Sequence, residues 1–179
     1  MKDKRKIYLE EKESGETIAH VGKFEFLVLD QKEEGFYLLL KDLYRENERF
    51  GQNNDFRGSN VQRICREFAE ELAAIVGVEN LVEHTVDLTS DDGLKDYGLI
   101  QELVSLLTTD LYRCYVDILD LDRLKKWWWL ATPYSTPRHD DANWIKCVSP
   151  RGNVYVDNCI NDISGVRPFC ILKSNIFVS

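Results

Sequence analysis

Alternating apolar and polar residues near the start of the chain predict a β-hairpin. Residues 23–30 alternate so that Phe24, Phe26 and Val28 lie on one face of an extended segment. A second apolar segment follows the polar, glycine-ending turn at residues 31–35. The first dozen residues carry many charges, and we expect them to fray.

Two later segments carry apolar residues at the spacing of an amphipathic helix. The first helix is capped by Ser59 or Asn60 and stops at Gly77, and the second begins at Thr108 or Thr109. Their inward positions are Val61, Ile64, Cys65, Phe68, Leu72 and Ile75 in the first helix, and Leu111, Tyr112, Tyr115, Ile118 and Leu119 in the second.

Three connecting segments have weaker patterns. Residues 46–60 are polar and contain Gly and Asn, which predicts a loop. Residues 81–97 are acidic and turn-like, and the apolar residues 99–107 match no single element.

Short strands dominate the last third of the chain. Residues 127–133 are typical of a buried strand that leaves the core at its proline. Residues 144–149 and 153–157 flank Pro150-Arg-Gly152, which predicts a hairpin, and residues 165–172 form another strand. Helices followed by antiparallel strands predict one α+β domain over residues 1–179.

Two features of this third predict packing rather than binding. Trp127, Trp128 and Trp129 cannot all face one way on a strand, so we expect Trp128 in the core and its neighbours on the opposite face or under a loop. Arg167, which precedes a proline, is expected to pair with a buried acid or with backbone carbonyls.

Charge is unevenly distributed along the 179 residues. The chain has 23 basic and 31 acidic side chains, a formal net charge of −8, which argues against a uniformly basic nucleic-acid binder. Residues 1–123 hold 16 basic and 27 acidic groups (16 − 27 = −11), whereas residues 124–179 hold 7 and 4 (7 − 4 = +3). Residues 67–122 alone hold 14 acidic groups. Such runs commonly form a solvated surface; the sharper hypothesis is a docking surface for a basic partner.

The cysteines and the chain start predict a reduced, cytoplasmic protein. Five widely spaced cysteines without a CxxC pair indicate free thiols rather than a disulfide framework. The basic first residues are not followed by an apolar segment, so we expect no signal peptide, and no apolar run reaches membrane-spanning length.

No motif predicts catalysis, and metal binding is a weaker alternative. His20, His84 and His139 are far apart in the sequence, and no catalytic residues are assigned. A structural zinc ion at the cysteines of the last third, near His139 in the sequence, is the weaker hypothesis, because their spacing fits no standard zinc site and a small core thiol is the commoner role of such cysteines. The acidic residues around Asp91 and Asp92 break the spacing of a calcium loop. The zinc candidates are Cys147, Cys159 and Cys170, and the oxygen candidates are Asp87, Asp91, Asp92 and Asp96. We therefore assign no metal ligands.

Two motifs in the last third carry a family resemblance. Trp128-Trp-Leu-Ala-Thr-Pro133 and Gly165-Val-Arg-Pro-Phe-Cys-Ile-Leu172 resemble the WWLxxP and GVRP strands of an uncharacterised domain family, common in prophages and gut Firmicutes. That family is similar in pattern to C-type-lectin-like and formylglycine-generating-enzyme folds. The match covers about residues 103–179, and residues 1–102 match less securely. The resemblance implies a C-type-lectin-like α+β fold with an N-terminal hairpin, two main helices and short C-terminal strands. The catalytic thiols and calcium-dependent sugar motifs of those groups are missing, so none of their site residues is carried over.

The leading functional hypothesis is a non-enzymatic binding protein encoded by a phage or another mobile element. It would act in the host cytoplasm as an anti-CRISPR inhibitor of a Cas nuclease such as Cas9, docking an acidic surface onto a basic protein groove without binding nucleic acid itself. The loop at residues 136–144 would add a second contact. The predicted partner-binding residues are Glu83, Asp87, Asp91, Asp92, Asp96, Arg138 and Trp144.

Two alternatives from other classes stay open. A lectin-like ligand-binding or phage tail adhesin module would have a pocket lined by Trp144, Tyr155 and the loop at residues 133–142. A zinc-containing metalloprotein would use the cysteines of the last third.

Overall fold

The protein has an α+β structure, seen in a computed structural model that describes residues 7–177. Its helices and antiparallel strands confirm the predicted α+β class. The helices are α1 (Asn60–Val76) and α2 (Thr109–Leu121). The strands are β1 (Ile7–Glu11), β2 (Thr17–Val21), β3 (Phe24–Lys32), β4 (Gly35–Leu40), β5 (Leu81–Val82), β6 (His84–Asp87), β7 (Leu99–Glu102), β8 (Val104–Ser105), β9 (Trp128–Pro133), β10 (Trp144–Val148), β11 (Val154–Asn158) and β12 (Phe169–Leu172).

Three antiparallel sheets organise these strands. The largest has the order β1-β2-β3-β4-β12-β5, with β8 also paired to β12. A second sheet has the order β11-β10-β9, and β6 pairs with β7 alone. Strand β12 therefore lies in the middle of the large sheet although it is last in the chain.

Both faces of the large sheet are buried. Alternate strand residues point to opposite faces, so Phe26 of β3 and Leu38 of β4 pack with α1, while Leu27 and Leu39 pack with α2. The helices thus lie on opposite faces of the sheet, each with its own hydrophobic layer. None of the helices in residues 7–177 is long and apolar enough to cross a membrane.

The two predicted helices are confirmed, with their caps. The Ser59 side chain accepts a hydrogen bond from the Gln62 amide, and the Gly77 amide donates to the Ala73 carbonyl at the other end of α1. The Thr108 side chain accepts from the Leu111 amide and caps α2. Each cap satisfies a backbone group that the helix itself leaves unpaired.

The N-terminal hairpin is confirmed as β3 and β4, but the sequence missed strands around it. The expectation of fraying is wrong for residues 7–11, which form β1; residues 1–6 lie outside the described part. The acidic segment at residues 81–97 contains β5 and β6, and residues 99–107 supply β7 and β8. These strands have two to four residues, too few for a periodic pattern to show.

The last third contains the predicted strands, but the one expected over residues 165–172 is limited to β12, because Gly165 and Val166 form only isolated bridges. All six residues of β9 are buried, and β10 and β11 form the predicted hairpin. Trp128 packs in the α2 layer, whereas Trp129 lies in the α1 layer and donates its indole N–H to the Glu48 carbonyl at 2.8 Å. Trp127 is partly buried on the Trp129 side. All three tryptophans therefore contribute to packing.

Arg167 anchors the segment that leads into β12 to the end of β4. Its guanidinium is 2% exposed and donates to the carbonyls of Leu40 at 2.7 Å and Lys41 at 3.0 Å, as the sequence predicted. It also stacks over Trp128, 5.0 Å from the ring centroid. Burial lowers the pKa of Arg167 to about 10, well above neutral pH, so the group stays charged.

Gly165 allows the segment before β12 to lie close to the segment after β4. A Cβ atom on Gly165 would lie 2.6 Å from the Arg45 carbonyl oxygen and 2.5 Å from the Leu43 side chain. The backbone of residue 165 bridges to Trp128, so a side chain there would force two segments apart.

Replacing Arg167 by methionine tests this anchor. Arg167→Met removes both hydrogen bonds and leaves two carbonyls without their donor, so we expect a loss of about 2–4 kcal/mol in the free energy of unfolding in urea. The matched control is Arg151→Met at an exposed position, where we expect a change within about 0.5 kcal/mol. Equal urea midpoints for the two variants would contradict the anchoring role.

Candidate functional site

The candidate site lies where two loops meet at one end of the three-stranded sheet β11-β10-β9, which we call the small sheet. We call residues 88–98 the aspartate loop and residues 134–143 the opposing loop. The Asp91 amide donates to the Pro133 carbonyl at 2.9 Å, at the end of β9. The aspartate loop closes on itself at its base, where the Leu88 amide donates to the Gly98 carbonyl.

Three acid–base pairs join the loops and β10. Asp91 lies 3.4 Å from the Lys146 Nζ, Asp92 lies 2.9 Å from the His139 Nδ1, and Asp96 lies 2.9 Å from the Arg138 guanidinium. The acids come from the acidic half of the sequence and the bases from the basic third. Each loop thus neutralises part of the charge of the other.

Hydroxyl groups add to these pairs. Ser135 and Ser90 both donate to the Asp92 carboxylate, and with His139 they hold its pKa well below the usual range. The Thr136 hydroxyl donates to Asp96 at 2.6 Å and, together with Arg138, lowers the pKa of Asp96. Both carboxylates therefore stay ionised and bound within the chain at neutral pH.

The predicted partner-binding acids divide into two groups. Asp91, Asp92 and Asp96 are engaged by the chain itself. Asp87 lies at the base of the aspartate loop and accepts from the Thr89 amide and hydroxyl, and Glu83 lies exposed at the other end of β6. Whether these residues contact a partner stays a prediction. The structure brings the first three together with Arg138 and places Glu83 apart from them.

Two exposed aromatic residues border the loops. The Trp144 side chain is 44% exposed at the start of β10, and Tyr134, directly after β9, is 48% exposed. The Tyr134 amide donates to the Trp144 carbonyl at 3.0 Å, and the Lys146 Nζ lies 5.8 Å from the Tyr134 ring centroid. We call Tyr134 and Trp144 the aromatic pair.

Asn54 organises the site, and the sequence analysis missed it. It is fully buried in the loop before α1, and its Nδ2 donates to the carbonyls of Ser135 and Trp144, each at 3.0 Å. Its Oδ1 accepts from the Tyr97 hydroxyl at 2.6 Å. One amide thus ties three loops together. The polar run around it gave no sign of partners that lie forty or more positions away.

The predicted lectin-like pocket does not form as described. Trp144 pairs with Asn158, and Tyr155 pairs with Cys147, whose side chain points into the core. Because side chains alternate along a strand, Trp144 and Tyr155 lie on opposite faces of the hairpin. Tyr155 packs against Trp127 instead, with ring centroids 5.7 Å apart. The prediction of a pocket lined jointly by Trp144 and Tyr155 is therefore wrong.

The metal candidates are not clustered. In residues 7–177, no three His, Cys, Asp or Glu side chains are placed to hold a metal ion. Cys147, Cys159 and Cys170 are buried in the α1 layer without disulfides. Burial raises the pKa of the Cys147 thiol to about 12, so this thiol is protonated at neutral pH. The zinc alternative gains no geometric support from this part of the chain.

The structure contains a serine–histidine pair that the sequence analysis did not single out. The His84 Nε2 lies 2.8 Å from the Ser105 Oγ, and burial lowers the pKa of His84 to about 4. Such a pair activates serine in hydrolytic enzymes. Here Ser105 is 1% exposed and its hydroxyl donates to the Leu106 carbonyl, so no substrate reaches it. We interpret the pair as a packing contact beneath Phe169, whose ring centroid lies 5.1 Å from that of His84.

Comparisons with protein families, with curated proteins and with solved structures found no match for this chain.

Asn54→Ala tests how the loops are organised. The substitution removes three hydrogen bonds and leaves the Ser135 carbonyl and the Tyr97 hydroxyl without partners, while the Trp144 carbonyl keeps its bond from the Tyr134 amide, so we expect a loss of about 2–4 kcal/mol in the free energy of unfolding in urea. The nearby Gln52 is exposed, and Gln52→Ala should change that free energy by less than about 0.5 kcal/mol. A similar cost for both variants would show that Asn54 does not hold the loops.

Asp96→Asn tests the acid–base pairing through its pH dependence. The folded-state pKa of Asp96 is below its usual value of 3.8, so the pairing stabilises the docked loop fully above 3.8 and is lost as the pH falls from there through the lower folded-state pKa. At pH 7 we expect the Asp91 amide, which bonds across the loops, to exchange with solvent deuterium faster in Asp96→Asn than in the unaltered protein. At a pH well below 3.8 the two proteins should show equal protection.

Asp140→Asn is the matched control for this exchange experiment. Asp140 is an exposed acid in the opposing loop with a φ of 59°, a conformation that asparagine adopts readily. Its substitution should leave the protection of the Asp91 amide unchanged. A pH-independent difference between Asp96→Asn and the unaltered protein would refute the electrostatic explanation.

Proposed function

We propose that this chain is a non-enzymatic binding protein that recognises another protein through the aromatic pair and the two loops beside it. The observation that carries the proposal is the exposure of Tyr134 and Trp144 on one side of an ordered loop frame. Tyrosine and tryptophan supply much of the binding energy in protein interfaces.

Preorganisation of the loops supports this proposal. Three acid–base pairs and the buried Asn54 already fix the loops in the free chain. A loop that is ordered before binding loses little conformational entropy when a partner docks. The bond from Asn54 to the Trp144 carbonyl also fixes the backbone from which the Trp144 side chain projects.

Two acidic side chains that are not engaged by the loops can attract a basic partner. Of the five predicted partner-binding acids, Glu83 and Asp87 are the two that take no part in the acid–base pairs joining the loops. Unpaired carboxylates attract a basic surface and raise the association rate. The aspartates of the loop contribute less to this field because Lys146 and Arg138 offset Asp91 and Asp96.

We propose a Cas nuclease such as Cas9 as the partner, with the chain acting in the host cytoplasm as a phage-encoded anti-CRISPR inhibitor. The support is the prophage-type resemblance of residues 103–179 together with the exposed aromatic pair beside the aspartate loop. In the same proposal the chain adopts a C-type-lectin-like arrangement, which its two helices and antiparallel strands support.

Pull-down and cleavage experiments with Cas9 test the proposal. Cas9 with and without guide RNA is mixed with excess protein, and bound protein and cleavage of target DNA are measured. We expect a complex and reduced cleavage. The double variant Tyr134→Ala/Trp144→Ala should bind at least about tenfold more weakly, because central aromatic contacts contribute about 2 kcal/mol or more.

Leu121→Ala is the matched control, since Leu121 is 49% exposed at the end of α2, outside the aromatic pair and the two loops. We expect it to bind like the unaltered protein. Glu83→Gln with Asp87→Asn should lower the association rate at low salt and have less effect at high salt. No complex with Cas9, together with unchanged cleavage at excess protein, would refute the nuclease as the partner.

A glycan is the second candidate ligand, favoured by the same exposed aromatic pair. Indole and phenol rings pack well against the apolar faces of sugars. Binding on a glycan array that disappears in Tyr134→Ala/Trp144→Ala, without binding to Cas9, would support the lectin-like alternative over the nuclease.

A further inference from the structure

Strand β11 has an open edge in the small sheet. Among residues 7–177 it pairs with β10 on one side and has no strand on the other. Tyr155 is 52% exposed and Val156 is 37% exposed along this strand. The edge therefore combines backbone groups with exposed apolar side chains, a combination that favours pairing with another strand.

The phase of the hydrogen-bond ladder shows which backbone groups face outward. The Ser149 amide donates to the Asn153 carbonyl at 2.9 Å, and the Cys159 amide donates to the Asn143 carbonyl at 2.8 Å. In an antiparallel ladder every second residue bonds to the neighbouring strand. The odd-numbered residues of β11 therefore bond to β10, and its even-numbered residues point their N–H and C=O groups to the open side.

Only two residues of β11 offer unused groups on that side. The Asn158 amide already donates to its neighbour Asp157 at 2.8 Å, and the Asn158 carbonyl accepts from the Asn161 amide at 3.0 Å. Val154 and Val156 remain, and no other hydrogen bond within residues 7–177 occupies their outward groups.

We propose that a second copy of this chain pairs with the open edge of β11, antiparallel and about a two-fold axis at Tyr155. Val154 of each copy then exchanges two backbone hydrogen bonds with Val156 of the other. Four bonds form, and all the free groups of both edges are used. The two small sheets become one continuous six-stranded sheet.

Alternative two-fold registers use the edge less completely. An axis at Val154 would place Gly152 opposite Val156, but the Gly152 amide donates to Ser149 and its carbonyl accepts from the Tyr112 hydroxyl. An axis at Val156 would place Val154 opposite Asn158, whose backbone groups are also engaged. The axis at Tyr155 avoids both conflicts.

Side chains across this interface are complementary. Tyr155 meets Tyr155 of the second copy on one face, and valines pair on the other face. Asn153 lies opposite Asp157 of the second copy, so an amide donor faces a carboxylate and no like charges oppose each other. The Asp157 carboxylate accepts bonds at Oδ1 from within its own chain, which leaves Oδ2 for the facing amide.

The pairing would place both aromatic pairs on the same side of the joined sheet. Neighbouring antiparallel strands are related by an axis perpendicular to the sheet, so equivalent faces stay together. Two copies of Trp144 then face one direction. A partner with repeated sites would be bound by both copies, which increases its retention.

Sedimentation equilibrium of the unaltered chain and of Val156→Pro tests the interface. We expect a mass of twice 20.9 kDa for the unaltered chain at high protein concentration. Val156→Pro removes an outward N–H from each copy and should weaken association about tenfold or more. The bonds of Tyr155 and Asp157 to β10 are retained, so its circular dichroism and melting temperature should match those of the unaltered chain.

Leu99→Ser is the control for apolar surface, because it removes a more exposed side chain that lies outside β11. It should dimerise normally. A monomeric unaltered chain up to millimolar concentration, or Val156→Pro that dimerises as well as the unaltered chain, would overturn the proposal. A Val156→Pro variant that loses its fold is replaced by Val156→Lys, for which the same weakened association is expected.

Disulfide trapping tests the register. The exposed Cys114 is first replaced by serine, and Tyr155→Cys or Val156→Cys is added. Mild oxidation should link Tyr155→Cys rapidly, since its two copies face each other, and Val156→Cys slowly, since its copies are diagonal. Faster linkage of Val156→Cys would refute the two-fold axis at Tyr155.

Discussion

The burial of β12 between β4, β5 and β8 is the constraint on which the rest of the fold depends. All four residues of this strand are buried, and they feed both hydrophobic layers: Cys170 and Leu172 face α1, and Phe169 and Ile171 face α2. A strand buried on both faces is apolar throughout. Polar groups in the segment that leads into it are buried as well and need hydrogen-bond partners. Arg167 meets that requirement by bonding to two backbone carbonyls.

The candidate functional site forms because the last third of the chain packs against the earlier part. Strand β9 is tied to the loop after β4 through the Trp129 indole and to the segment before β12 through the backbone of Gly165, and the opposing loop follows β9. The uneven charge of the sequence then becomes local pairing, since acids before residue 124 meet bases after it. An acidic run in a sequence therefore overstates the negative field that a partner experiences.

The patterns that predicted structure were those that a single segment carries by itself. Helix α1 shows its period over 17 residues with a serine before it and a glycine after it, and β9 shows as an apolar run ending in proline. Strands β5 and β8 have two residues each and exist because β12 lies beside them. Asn54 and the pair of His84 with Ser105 were equally hidden, because their contacts join positions far apart in the chain. The acids of the aspartate loop were found by composition, but their internal partners were not.

The central position of β12 also shapes how the chain acquires its structure during synthesis. The ribosome delivers β1 to β4 first, and these hairpins can form while the rest is still being made. The edge of β4 that will receive β12 then waits, unpaired, through the translation of both helices and the small sheet. Long-range pairing of this kind closes slowly. During synthesis the nascent chain therefore exposes an unpaired apolar strand edge during that interval.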